Sequence, residues 1–194
     1  METTAGFLQV TTSLFDLLIK YNHLAAYYLG YELWNQSVIN KIREVEKNQW
    51  HNFFLISSGL LDDQILNINK SWYFFHYLLT GYNTLDKPDN FNFFHPLISI
   101  NKEDKLPFIN AILGGKCLFY GYYICVRYLT SNEVNQMTNA LSKLELFDVI
   151  ERLDTGEYEN YIYDSLSDYP YYDALVDYYK DAADKGNAML LWLN

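Results

Sequence analysis

The sequence predicts a single domain of mixed α-helices and β-strands, α/β in the broad α+β sense, on three observations. Segments with apolar residues at helical spacing are interspersed with short runs rich in aromatic and β-branched residues. Half of the 194 residues are hydrophobic, enough for one sizeable core and too many for a disordered chain. No internal repeat or linker-like stretch divides residues 1–194.

Gly6–Val10 reads as an opening strand, with Thr11 or Thr12 as the N-cap of a helix striped by Leu14, Leu17, Leu18 and Tyr21. Residues 22–60 have no clean period; Ser37 is placed to cap a helix carrying Val38, Ile42 and Val45. Ile65–Ile68 is a second strand. A helix follows, with Asn69 as N-cap, Gly81 as the residue after its end, and Trp72, Phe75, His76 and Leu79 along one stripe. A polar loop crosses Asp86–Asn90, and Ala111-Ile112-Leu113 runs into a turn at Gly114-Gly115. Cys117–Leu129 is strand-like and interrupted at Gly121.

Thr130 and Glu133 form the S/T-x-x-E capping-box pattern ahead of a helix with Val134, Met137, Leu141 and Leu144 facing inward. Asp168-Tyr169-Pro170 starts the last helix, with Tyr171, Ala174, Leu175, Tyr178 and Ala182 as its expected buried face. Lys185-Gly186 closes it. Ala188–Leu193 is apolar at all six positions, as expected of a strand covered on both faces.

Charge separates function classes more sharply than length does. Residues 1–130 hold 11 acids and 10 bases, whereas residues 131–194 hold 13 acids and 4 bases. The net charge of −10 therefore sits almost wholly in the last third, which argues against nucleic acid and against an anionic membrane surface. The start lacks the basic segment of a secretory signal, and no apolar run is long enough to span a bilayer. Two cysteines without CxxC spacing make no disulfide framework, so a reduced, cytoplasmic setting is expected.

Two groups of residues carry candidate chemistry. Asp173, Asp177, Asp181 and Asp184 recur at i, i+4, i+8 and i+11 on the last helix, with Lys180 as their local relief. The row has no His or glycine loop to complete a metal sphere, so it is read as a solvated acidic face, and no metal or cofactor is expected. Like charges four apart cost a helix about 0.2–0.5 kcal/mol per pair, which leaves room for a role in contact with a basic protein partner. With Tyr172 and Tyr179 beside it, this face is the expected partner-binding surface, since tyrosine is enriched where interfaces are strongest. The second group is Trp72, His76, Gly114, Gly115 and Arg127. Arg127, within an apolar strand, must snorkel or pair; the glycines could cradle an anion; His76 could act as an acid or base. The simpler reading of each is structural, and no catalytic residue is assigned.

Three collinear blocks resemble one family. Asn69-Lys70-Ser71-Trp72, with His76 and Leu78-Leu79-Thr80-Gly81, resembles the D-K-x-W-x-x-x-H-x-L-L-T-G signature of the YfbM-like family, domain of unknown function 1877. Ala111–Gly115 with Gly121-Tyr122 and Arg127–Thr130 resembles its A-I-L-G-G and G-Y…R-Y-L-T blocks. Tyr178–Ala183 through Gly186-Asn187-Ala188 resembles its closing helix and strand. The departures are Asn69 for Asp, Tyr73 for a second His and Tyr123 for a Gly, with 22–60 unmatched. The resemblance implies helices packed around a mixed sheet in three layers, and no established activity. The reading that follows is a protein-binding module, immunity-type in its most concrete version. The rival is a small-molecule site or enzyme built around Trp72, His76 and Arg127.

Overall fold

The fold was obtained as a computed structural model that describes residues 4–22, 65–69, 71–80, 97–100, 107–120, 125–145 and 169–193. The Ser37-capped helix and the polar loop at Asp86–Asn90 lie outside the described residues. In chain order the elements are β1 (Ala5–Val10), α1 (Thr12–Lys20), β2 (Ile65–Asn67), α2 (Ser71–Thr80), β3 (Ile98–Ile100) and β4 (Pro107–Ile109). They continue with β5 (Lys116–Tyr120), β6 (Cys125–Leu129), α3 (Ser131–Leu141), α4 (Tyr169–Asp184) and β7 (Ala188–Leu193).

Five strands form one sheet in the order β2-β1-β7-β6-β5. Every ladder in it is antiparallel, so the sheet is not the mixed one expected, while the α+β class holds. β3 and β4 pair separately. Strand alternation then divides the core. Phe7, Leu129, Met189 and Leu191 face one side with α2, α3 and α4; Leu8, Val10, Val126 and Leu190 face the other with Leu14 and Leu18 of α1. The result is helix, sheet, helix. β7, central and buried on both faces from Ala188 to Trp192, matches its unbroken apolar run.

Local signals set the starts of α1 and α3. Thr11 accepts the amide of Leu14 at the start of α1, and Thr130 and Glu133 complete a reciprocal capping box on α3. Asn69 departs from expectation. It takes a left-handed φ of 49° in the turn after β2, its side chain donates to Tyr171 Oη (3.2 Å), and α2 starts two residues later. α2 is buried at every position except Tyr73, more than the single expected stripe.

Candidate functional site

α4 is placed by its tyrosines. Tyr179 is fully buried and donates its hydroxyl to the Ala111 carbonyl (2.5 Å), tying the helix to the turn that follows β4. Tyr178 lies against β1: its Oη accepts the Gln9 amide (2.9 Å) and donates to the Phe7 carbonyl (3.1 Å). Burial pushes the Tyr178 hydroxyl up to about 12. On the α3 side, Thr138 Oγ1 shares its hydrogen between the carbonyls of Val134 (2.9 Å) and Tyr179 (3.0 Å).

These contacts correct two expectations. Tyr172 and Tyr179, placed on the partner surface by the sequence, are core residues at 4% and 0% exposure. Tyr171 and Tyr178, expected in the core, are only half-buried. The inward face runs through Tyr172, Leu175, Tyr179 and Ala182: Leu175 and Ala182 are where expected, and the buried tyrosines are each one residue on from those expected. Tyr172 packs against Phe75 (5.8 Å between ring centroids), and burial, with the charge of Asp173 second, pushes its hydroxyl up to about 12.

Asp173, Asp177, Asp181 and Asp184 are all exposed on the outer side of α4. Asp181 differs from the other three. It accepts Lys185 Nζ (2.5 Å) and Gln9 Nε2 (3.0 Å), and those hydrogen bonds hold its carboxyl below the usual carboxylate range. Gln9 in turn accepts from Asn187 Nδ2 (3.2 Å), so one amide joins β1, α4 and the turn before β7. From the sequence, Lys185 reads only as part of the helix end and Gln9 has no role of its own; the available signal is the Asp-to-Lys spacing of four across 181–185. Asp181 thus has a structural task, and Asp173, Asp177 and Asp184 form the outward acidic face.

In the second group, Arg127 shares the strand face of Leu129, Trp72 belongs to the core cluster that includes Leu129, and His76 is buried on α2. Arg127 is 4% exposed and donates to the Leu113 carbonyl (2.6 Å). The turn beneath is held by Asn110, whose carbonyl accepts the Gly114 amide (3.0 Å) and whose Oδ1 accepts the Leu113 amide (2.8 Å). Those two amides are engaged within the turn, a structural use of the segment. A Cβ on Gly114 would collide with the Asn110 carbonyl, and one on Gly115 (φ +92°) with the Tyr128 carbonyl. His76 is 2% exposed within α2, where the Thr80 hydroxyl donates to its carbonyl (2.6 Å). Among the described residues no three His, Cys, Asp or Glu side chains gather as a metal would require. None of the described helices is long and apolar enough to cross a membrane.

Comparison with known proteins follows the same lines. The model of the family described as "Domain of unknown function (DUF1877)" matches residues 1–192. The crystal structure of YfbM from Escherichia coli, a protein of unknown function, is similar in fold. Its TM-score is 0.52 at 17% identity, over 98% of this chain and 99% of that one. No functionally curated protein matches.

Proposed function

The chain belongs to the DUF1877 family, and from that premise we propose that it is a protein-binding module whose outward α4 face meets a basic protein partner. A neutralising, immunity-type role in a reducing cytoplasm is the concrete version. The observation that carries the reading is the placement of Asp173, Asp177 and Asp184 in solvent on a helix whose opposite face is fixed by Tyr172, Leu175 and Tyr179. A rigid support lets three like charges act together, steering a cationic surface into one orientation. Asp181 is bound within the fold by Gln9 and Lys185, so the intrahelical repulsion it would add is partly relieved.

The test compares the wild-type chain with Asp173→Lys/Asp177→Lys/Asp184→Lys as bait in cell extract, at low and at high salt. All three positions are exposed, so circular dichroism of the variant should match the wild type. Partners that raised salt releases, and that the variant fails to capture, support the reading. Partners captured equally by both baits sink it.

A further inference from the structure

β5 and β6 hold the only two cysteines of the chain. Cys117 is register partner to Arg127, and Cys125 stands two residues before Arg127 on the same strand face. The sulfurs are therefore diagonal neighbours across an antiparallel ladder, a relation that ordinarily leaves Cα atoms about 7–8 Å apart. Here the register breaks between Cys117 and Phe119, and a bulge of this kind bends the strand and re-aims its side chains. The two Sγ atoms lie 3.4 Å apart, with Cys125 the donor and Cys117 the acceptor. Both thiols are free and only half-buried.

We propose that Cys117 and Cys125 are a reversible dithiol/disulfide site, oxidised by low-molecular-weight disulfides into a cross-strand bond between β5 and β6. The bond needs the sulfurs at about 2.0 Å, a closure of roughly 1.4 Å from their present separation. Rotation of two side chains at a bulged edge can supply most of that closure. Cys117, the acceptor of the thiol contact, attacks one sulfur of the small disulfide and expels the first small thiolate. Cys125 then attacks the Cys117 sulfur of the mixed disulfide and expels the second. Two protein thiols are oxidised, one small disulfide is reduced to two thiols, and the protons lost by the cysteines end on the leaving groups.

The sense of the thiol contact assigns the order of the two sulfurs, since Cys125 donates its hydrogen to Cys117. Burial, and then the neighbouring Cys117, push the Cys125 thiol up to about 11, while the Arg127 guanidinium beside it acts in the opposite direction. A protonated Cys125 is a poor attacker of the external disulfide, and it acts, once deprotonated, on the sulfur of the Cys117 mixed disulfide. Oxidation would fasten the hairpin strand whose Arg127 grips the Leu113 carbonyl, so the covalent link lies next to the Gly114-Gly115 turn. Cytosolic disulfides are characteristically transient and redox-sensing, which suits a pair of this kind.

The test equilibrates the full chain at low concentration in buffers of oxidised and reduced glutathione, quenches in acid, alkylates the remaining thiols and reads intact mass. The expected wild-type product has lost two hydrogens and both alkylation sites, and returns to the dithiol in excess reduced glutathione. Cys117→Ser and Cys125→Ser should each stop at a single glutathione adduct or a free thiol. A wild-type chain that stays fully reduced, keeps glutathione on either cysteine at equilibrium, or oxidises only to intermolecular dimers overturns the proposal. The wild-type measurement decides even if a serine variant does not fold.

Discussion

Replacing Gly115 and Gly186 separately by alanine distinguishes two costs that usually arrive together. Both glycines have positive φ, +92° and +66° respectively. At Gly186, which ends α4 and leads into β7, a Cβ meets nothing within 4 Å. Only the left-handed backbone opposes alanine there, and part of that cost is offset by the smaller conformational freedom of the unfolded chain. The expected loss is about 1 kcal/mol. Gly115 adds a collision with the main-chain carbonyl of Tyr128, which belongs to the β6 ladder and cannot swing aside as a side chain could. Strain of about 1–3 kcal/mol from the backbone and a similar amount from overpacking give an expected loss of about 2–6 kcal/mol. Urea unfolding, followed by far-UV circular dichroism and by the fluorescence of buried Trp72 and Trp192, measures both values, and unchanged slopes confirm a common unfolded state. If Gly115→Ala proves no more costly than Gly186→Ala, the close approach of residue 115 to β6 is not what holds this turn.

Two further outcomes follow from the α4 contacts. Tyr179→Phe removes the donor to a buried Ala111 carbonyl and should cost about 1–2 kcal/mol in the same unfolding assay, whereas a loss too small to measure would mean the bond adds nothing. Asp181 has its folded-state carboxyl lowered by Lys185 first and Gln9 second, so its contribution is present above the ordinary carboxylate range and is lost as pH falls through the lower folded value. Asp181→Asn should therefore be less stable than wild type at neutral pH, with the gap closing in acid below roughly pH 4. An equal gap at neutral and strongly acid pH would refute the assignment.

What could be read in the sequence depended on how local each determinant is. The capping box of α3 was legible because Thr130 and Glu133 act within one turn. β7 was legible because two covered faces leave no polar position from Ala188 to Leu193. The phase of α4 was not. Tyr171-Tyr172 and Tyr178-Tyr179 are adjacent pairs seven residues apart, so two inward stripes one residue out of step fit the periodicity equally. The choice between them rests on hydroxyl partners at Phe7, Gln9 and Ala111, between 68 and 171 positions away. β3 and β4, at three residues each, are too short to leave an alternation. In the candidate sites, the carboxylates of Asp173, Asp177 and Asp184 were legible because charge itself dictates exposure. The Leu113 carbonyl that holds Arg127 has no side-chain signature, and the closeness of Cys117 and Cys125 depends on a bulge that no spacing announces.

The place of β7 also bears on how the chain reaches this state. It is the last described element in sequence, yet it lies between β1 and β6 in the middle of the sheet. Before it is synthesised the sheet can exist only as two separate ladders, β2 with β1 and β5 with β6, each with an open inner edge. A ribosome-bound chain lacking β7 therefore presents two unfinished edges, the features through which nascent chains pair wrongly. Closure requires β1 to meet a strand more than 170 residues downstream, a contact whose loop-closure cost falls on the final step of assembly. The five-stranded sheet thus cannot be completed until β7 has been synthesised.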